Sequence, residues 1–232
     1  MADKQAPAVD RVVAITGASG KLGGVVAHRF AEAGYRVALL ARSKDDVTEL
    51  ASSLPGGYGR HAGVAVDLGN AESATAAASA VRQELGPTSV LLQLVGGYAG
   101  GRPFAENDDE ELARLLDLNL WTTARAIRAF LPDIAAAEHG RIVTVSTFVA
   151  QAPTPKHAAY AASKAAVEAL TISVARDLAG TTATSNVVVL RSIGDEKPTD
   201  QRPDEIAATM LWLCSPEAGA INGQRINLFG RA

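Results

Sequence analysis

Short, β-branched apolar runs alternate with longer helical patterns along this chain, and that rhythm limits the fold more than any single residue does. The runs fall at residues 11–16 (RVVAIT), 35–41 (YRVALLA), 63–66, 89–95 (SVLLQLV), 141–146 (RIVTVS), 186–190 and 224–229. Helical patterns at about 22–33, 44–53, 71–85, 108–131, 158–178 and 203–213 lie between them. Several runs are apolar on both faces, so both faces of the strand are buried. That is the pattern of a parallel sheet covered by helices on both sides. The alternation predicts an α/β fold, a doubly wound parallel sheet of about seven strands. Residues 1–9 read as a flexible lead-in. No linker, composition shift or fixed-period repeat divides residues 10–232, which read as a single domain.

Composition removes several classes of function. Hydrophobic residues make up 47% of the 232, enough for a sizeable core. The 22 basic and 25 acidic side chains leave a net charge of −3, which argues against a nucleic-acid binder that works by neutralising phosphates. A single cysteine, Cys214, excludes an intrachain disulfide and a cysteine-based zinc site. His28, His61, His139 and His157 show no metal-ligand spacing, so no metal is expected. The polar N-terminus lacks the apolar stretch of a signal peptide, and no run approaches the ~20 apolar residues that span a bilayer. The expectation is a soluble, cytoplasmic protein with neither a nucleic-acid nor a membrane partner.

The first run leads straight into Thr16-Gly17-Ala18-Ser19-Gly20-Lys21-Leu22-Gly23-Gly24, and a helix follows. Glycine permits positive φ and lets backbone N–H groups come close to a phosphate, while the helix N-terminus adds partial positive charge. Strand, glycine loop and helix in that order form a dinucleotide-binding context, with Gly17, Ser19, Gly20, Lys21, Leu22 and Gly23 as candidate contacts. The second run ends at Ala41, then Arg42, Ser43 and Lys44. A carboxylate there would bind a ribose 2′-hydroxyl and favour NAD; a guanidinium with a nearby hydroxyl suits a 2′-phosphate. Arg42, Ser43 and Lys21 therefore favour NADP(H) over NAD(H). The third run leads into Asp67-Leu68, where the carboxylate either contacts an adenine amino group or caps the helix that begins near Asn70.

The sharpest motif is Tyr160-Ala-Ala-Ser-Lys164. Positions four apart share a helix face. A free tyrosine, with a pKa of ~10, is a poor base at neutral pH, and a neighbouring ammonium should lower that value. The pair can then exchange a proton with an alcohol or carbonyl oxygen. Upstream, Ser146 and Thr147 close the fifth strand at the sheet edge where ligands bind in such folds, and either hydroxyl could hold a substrate oxygen. Asn119 lies in an otherwise apolar helix, where it must find hydrogen bonds; it stabilises the helix or fixes a water that relays protons to Lys164.

Taken in order, the glycine loop, Asp67, Asn119, the Ser146/Thr147 pair and Tyr160/Lys164 resemble the short-chain dehydrogenase/reductase family, over about residues 11–229. The resemblance implies a Rossmann-type sheet that binds NAD(P)(H) and transfers hydride to or from a small carbonyl or alcohol substrate. It implies Tyr160 as general acid/base, Lys164 as the residue that tunes it and binds the nicotinamide ribose, Ser146 or Thr147 as substrate-orienting hydroxyl, and Asn119 as support for a proton relay. Gly96 and Gly97 keep the glycine backbone that the family lays against the cofactor, although Leu94-Val95 replace its asparagines. Ile193 falls in the stretch that contacts the nicotinamide carboxamide. The family's Pro-Gly after the sixth strand is replaced by Leu190-Arg191, and the segment 194–202 is short where a helical lid normally lies. A short lid implies an open site or one closed by a partner subunit.

The stretch from Leu94 to Gly101 also resembles the matching segment of dihydropteridine reductases, which makes a quinonoid pterin an alternative substrate. A dinucleotide-binding member with a non-redox or regulatory role is the other alternative. Family resemblance assigns the helices at 108–131 and 158–178, together with the last strand, to subunit interfaces, so a homodimer or homotetramer is expected. Trp121 and Trp212 are expected in the core or at an interface.

Overall fold

The structure is a computed structural model that describes residues 10–57, 59–197 and 199–229. The lead-in at 1–9 lies outside the described residues. Seven strands form one sheet: β1 (Val12–Thr16), β2 (Arg36–Ala41), β3 (His61–Ala65), β4 (Thr88–Gln93), β5 (Arg141–Thr147), β6 (Thr184–Leu190) and β7 (Arg225–Leu228). Their order is β3-β2-β1-β4-β5-β6-β7, and every neighbouring pair is parallel. The helices are α1 (Lys21–Glu32), α2 (Lys44–Ser53), α3 (Ala71–Leu85), α4 (Asp109–Leu115), α5 (Thr122–Ala136), α6 (Phe148–Gln151), α7 (Ala158–Asp177) and α8 (Pro203–Leu213). This is the expected Rossmann-type doubly wound α/β sheet.

Strand alternation builds its two apolar layers. Successive side chains point to opposite faces. Val13 and Ile15 of β1 pack with Val26 and Phe30 of α1 and with Ile206 and Met210 of α8. Val12 and Ala14 pack on the other side with Val81 of α3, Phe130 and Ile134 of α5, and Val174 of α7. Each large side chain so buried contributes about 1.5–3 kcal/mol, so a charge at Ile15 or Phe130 would break a layer. β1 has β2 on one side and β4 on the other. The chain reverses its winding there, and the crevice above the strand ends is where such sheets bind ligands.

The structure departs from the sequence pattern at particular places. The helical stretch expected at 108–131 is three pieces: α4, a π-helical segment Leu116–Trp121, and α5, which runs through Pro132 to Ala136. The wide π turns carry Asn119 in their middle. β3 starts two residues before the apolar run, at His61, whose Nδ1 accepts a hydrogen bond from the Val37 N–H at 3.2 Å. β4 stops at Gln93 instead of running to residue 95, because the N–H groups of Leu94 and Val95 turn to the Thr16 hydroxyl, at 3.1 and 3.4 Å.

Candidate active site

A groove of about 660 Å³ lies across the C-terminal ends of β1 to β4. Its floor is the glycine loop. Gly17 has φ +65°, and a Cβ there would stand 3.2 Å from the Val95 nitrogen. A Cβ on Gly23 would fall 2.5 Å from the carbonyl oxygens of Gly17 and Ala18, so α1 rests directly on the loop. Gly20 is the N-cap and no side chain caps the helix. The first-turn N–H groups, at Lys21, Leu22 and Gly23, thus lack an intrahelical acceptor and suit a diphosphate. A bare glycine cradle beneath an uncapped helix end fits a dinucleotide.

The other cofactor candidates separate. Ser19, Gly20, Arg42, Asp67, Leu68 and Gly96 line the groove. Ser43 caps α2, its Oγ accepting from the Asp46 N–H at 3.3 Å, a bond that still lets the hydroxyl donate its own proton. Lys21 borders a separate hollow beside α1 with His28 and Asp204. Asp67 does not cap α3: its Oδ1 accepts from the Gly69 N–H at 2.8 Å, and Asn70 is the cap, accepting from Ser73 N–H at 2.8 Å. Gly97 donates its N–H to Asn119 Oδ1 at 2.8 Å, and a Cβ on it would strike Leu118. Ile193 lies on a second cavity, with an isolated bridge to Gln201. Arg114 and Asp117 also line the groove; nothing in the sequence pattern distinguished them.

The second cavity, about 430 Å³, opens where β5 and β6 end, and it brings together Ser146, Thr147, Tyr160 and Lys164. α7 presents Tyr160, Lys164 and Glu168 at intervals of four, a ladder laid against β5. Lys164 is 7% exposed and donates to the Val145 carbonyl at 3.1 Å. Its burial lowers the ammonium's pKa to about 8. Burial pushes the Tyr160 phenol up; the Thr147 hydroxyl beside it pulls the value back, and Tyr98 adds to the rise. Here the sequence expectation is corrected. The Lys164 ammonium turns to a carbonyl and does not lower the tyrosine in this state.

The two candidate hydroxyls at the end of β5 also part company. Thr144 and Ser146 face α7: Thr144 Oγ1 pairs with Thr171 Oγ1 at 2.9 Å, and Ser146 donates to Glu168 Oε1 at 2.6 Å. Glu168, 2% exposed, also takes the Arg225 guanidinium of β7. Thr147, the last residue of β5, is the hydroxyl beside the phenol. The sequence reading missed Glu168, although its place one helical turn beyond Lys164 was a usable signal. Asn119 is fully buried and donates to the Gly97 carbonyl at 3.1 Å and to Ser163 Oγ at 3.0 Å. A Cβ on Gly96 would lie 2.8 Å from Lys164 Nζ and 2.9 Å from Asn119 Oδ1, so glycine at 96 keeps groove and cavity in contact.

Next to the phenol, the Tyr98 ring meets Tyr160 edge-on, with centroids 5.1 Å apart and planes at 82°. Its hydroxyl pairs with His157 Nε2 at 3.0 Å. Tyr98 is 61% exposed, so the pair forms a rim and not a core contact.

A Rossmann-type sheet, an uncapped glycine-loop helix and a tyrosine over a buried lysine define a class, the NAD(P)-dependent oxidoreductases. Comparison narrows the class. The short chain dehydrogenase family model matches residues 11–197, and the chain belongs to the short-chain dehydrogenase/reductase family. It is 30% identical over 239 residues to a D-threitol dehydrogenase of Mycolicibacterium smegmatis, covering 95% of this chain and 92% of that one. It is 28% identical over 246 residues to a 2,3-dihydroxy-2,3-dihydro-p-cumate dehydrogenase of Pseudomonas putida, covering 97% and 95%. Among solved structures, an NADPH-bound short chain oxidoreductase of Pseudomonas aeruginosa PAO1, described as containing an atypical catalytic center, superposes with a TM-score of 0.86 at 26% identity, covering 94% of this chain and 95% of that one.

Proposed function

We propose that the protein is an NADPH-dependent reductase of a small carbonyl compound, or equally the dehydrogenase of the matching alcohol, with Tyr160 as the proton-transferring group. The observation that carries this reading is the placement of the Tyr160 phenol beside the Thr147 hydroxyl in an open cavity, with buried Lys164 on the turn below. When bound, the dinucleotide supplies or accepts the hydride. Thr147 holds the substrate oxygen, and Tyr160, kept protonated at neutral pH, donates to that oxygen as it gains charge. Lys164, which donates to the Val145 carbonyl at 3.1 Å, would bind the nicotinamide ribose, and Asn119 holds the Gly97 backbone beside it. Preference for NADP(H) rests on Arg42, the basic side chain at the end of β2 that lines the groove. A subunit interface is supported by Trp121 and Trp212, which stay 47% and 49% exposed.

Titration of the full-length protein with NADPH and NADH tests the cofactor half. Tighter NADPH binding that Arg42→Ala removes is expected; equal affinities would remove the role of Arg42. A carbonyl screen with the preferred cofactor tests the chemistry. Tyr160→Phe should lower kcat by at least ~100-fold while cofactor affinity persists, and a fully active Tyr160→Phe enzyme would sink the proton-donor role.

A further inference from the structure

β5, β6 and β7 end in register, Thr147 opposite Leu190 and Leu190 opposite Leu228. The next residue on each strand is therefore Phe148, Arg191 and Phe229, side by side along the sheet edge. The Arg191 guanidinium lies against both rings, 5.6 Å from the Phe148 centroid and 5.3 Å from that of Phe229. Its backbone is pinned as well: the N–H groups of Arg191 and Ser192 donate to the buried Gln201 Oε1 at 2.7 and 3.3 Å. A guanidinium stacked on rings keeps its N–H edge free for a planar anion.

Arg191 lines the cavity that holds Thr147 and Tyr160, and no lining residue of that cavity is acidic. Among the described residues, no carboxylate stands within ion-pair distance of its guanidinium. Two acids of the neighbouring segments have other partners. Glu168 takes Arg225 and Ser146; Asp200 takes the Ser192 hydroxyl and the Lys197 N–H. The groove with the glycine loop runs over β1 to β4, whereas Arg191 directly follows β6, on the far side of β5 from that groove. Tyr98, Phe148, Val149, Leu190 and Ile193 give the cavity an apolar side that suits a compact body, with Thr154, His157 and Ser192 as further polar lining and Lys164 as its other cation.

We infer that the substrate is a small oxo acid, or the matching hydroxy acid, whose carboxylate is bound by Arg191 while its carbonyl oxygen meets Thr147 and Tyr160. This rests on the reductase reading for the chemistry and not for the binding. The carboxylate takes no part in electron transfer and keeps its charge throughout. Arg191 acts as a specificity residue: it fixes which end of the molecule faces the phenol.

The test pairs benzoylformate with its methyl ester, which differ in charge and share a flat body. Calorimetric titration of the full-length protein, with and without NADP+, should give at least about tenfold tighter binding of the acid, the size of a charge-assisted bidentate contact. In Arg191→Gly the ratio should fall to near one, and Arg191→Lys should retain part of it. Residual ester binding and an unaltered melting curve report that the variant cavity is still built. A wild-type ratio near one, or no binding of either compound, overturns the inference, as does a ratio that survives Arg191→Gly. Loss of NADP+ affinity with the ratio intact overturns it too, by giving the arginine to the cofactor. NADPH oxidation separates the two readings. Acid binding that depends on Arg191 without any turnover removes the reductase and leaves the anion site, whereas equal reduction of acid and ester removes the anion site alone.

Discussion

Ser146 and Thr147 are neighbours in sequence and do different work. The sequence legibly placed a hydroxyl pair at the end of β5, but its strand alternation could not choose between them, because alternation ends where the strand does. The choice lies in partners from another element: Glu168 of α7 takes Ser146, and the Tyr160 phenol meets Thr147. Thr147→Ala is expected to lower kcat about 100-fold, in the range seen when a donor to a reacting oxygen is lost. Ser146→Ala should act mainly on stability. It strips one donor from a buried carboxylate, a loss of about 1–3 kcal/mol, read as a fall of several degrees in Tm. If the two variants exchanged these effects, the assignment of the hydroxyls would be reversed. Ser43 and Lys21 teach the same lesson. Position alone makes both candidate phosphate ligands, whereas their other surroundings, a helix cap for Ser43 and a hollow beside α1 for Lys21, are visible only in the structure.

At the scale of an element, α7 was the most legible helix and the π segment the least. Tyr160 and Lys164 declare their common face by spacing alone. The π turns at Leu116–Trp121 arise from tertiary bonds of Asn119 to Gly97 and Ser163, which no local pattern encodes. α7 also carries a cost. The Lys164 ammonium is lowered from 10.5 to about 8 by burial. Below pH 8 both folded and unfolded chains hold the proton, and the folded chain holds it at a disadvantage. Between 8 and 10.5 the folded chain has released it while the unfolded chain retains it, so this residue's contribution to stability rises with pH across that window. The swing is about 3 kcal/mol at about 1.4 kcal/mol per pH unit. Lys164→Met should therefore be more stable than the parent near neutral pH, and the gap should narrow toward about pH 10.5 in denaturant titrations. Tyr35 and Cys214, both pushed up to about 12 by burial, work in the opposite direction, since the unfolded chain loses those protons first. They are present in both proteins and cancel in the difference. A gap that stayed constant with pH would deny that the lysine is held at a cost.

For the molecule as a whole, sheet order and helix layers were readable because doubly buried strands leave little else for the chain to do. Assembly was less readable, since an exposed tryptophan is written with the same letter as a buried one. Trp121 belongs to the π segment and Trp212 to α8, and both stand open to solvent, the first beneath the Arg125 guanidinium. Sedimentation of the purified protein is expected to show a dimer or tetramer. Trp121→Lys and Trp212→Lys should each reduce its mass without altering the circular dichroism of the fold; a monomeric parent would refute the assembly.

Gln201 ties down the turn after β6, accepting from Arg191 and Ser192 while Asp200 takes the Ser192 hydroxyl. Ser192 and Ile193 of that turn line the cavity, so its wall on this side is a tied segment. A ligand that meets a wall already tied spends less of its binding free energy on ordering it. Selectivity then comes from the shape and charge of a surface built before the ligand arrives. Such a site is open to solvent in this structure. It cannot fully exclude water, which makes the fixed hydrogen bonds beneath it, from Asn119 to Glu168, the means by which its geometry persists.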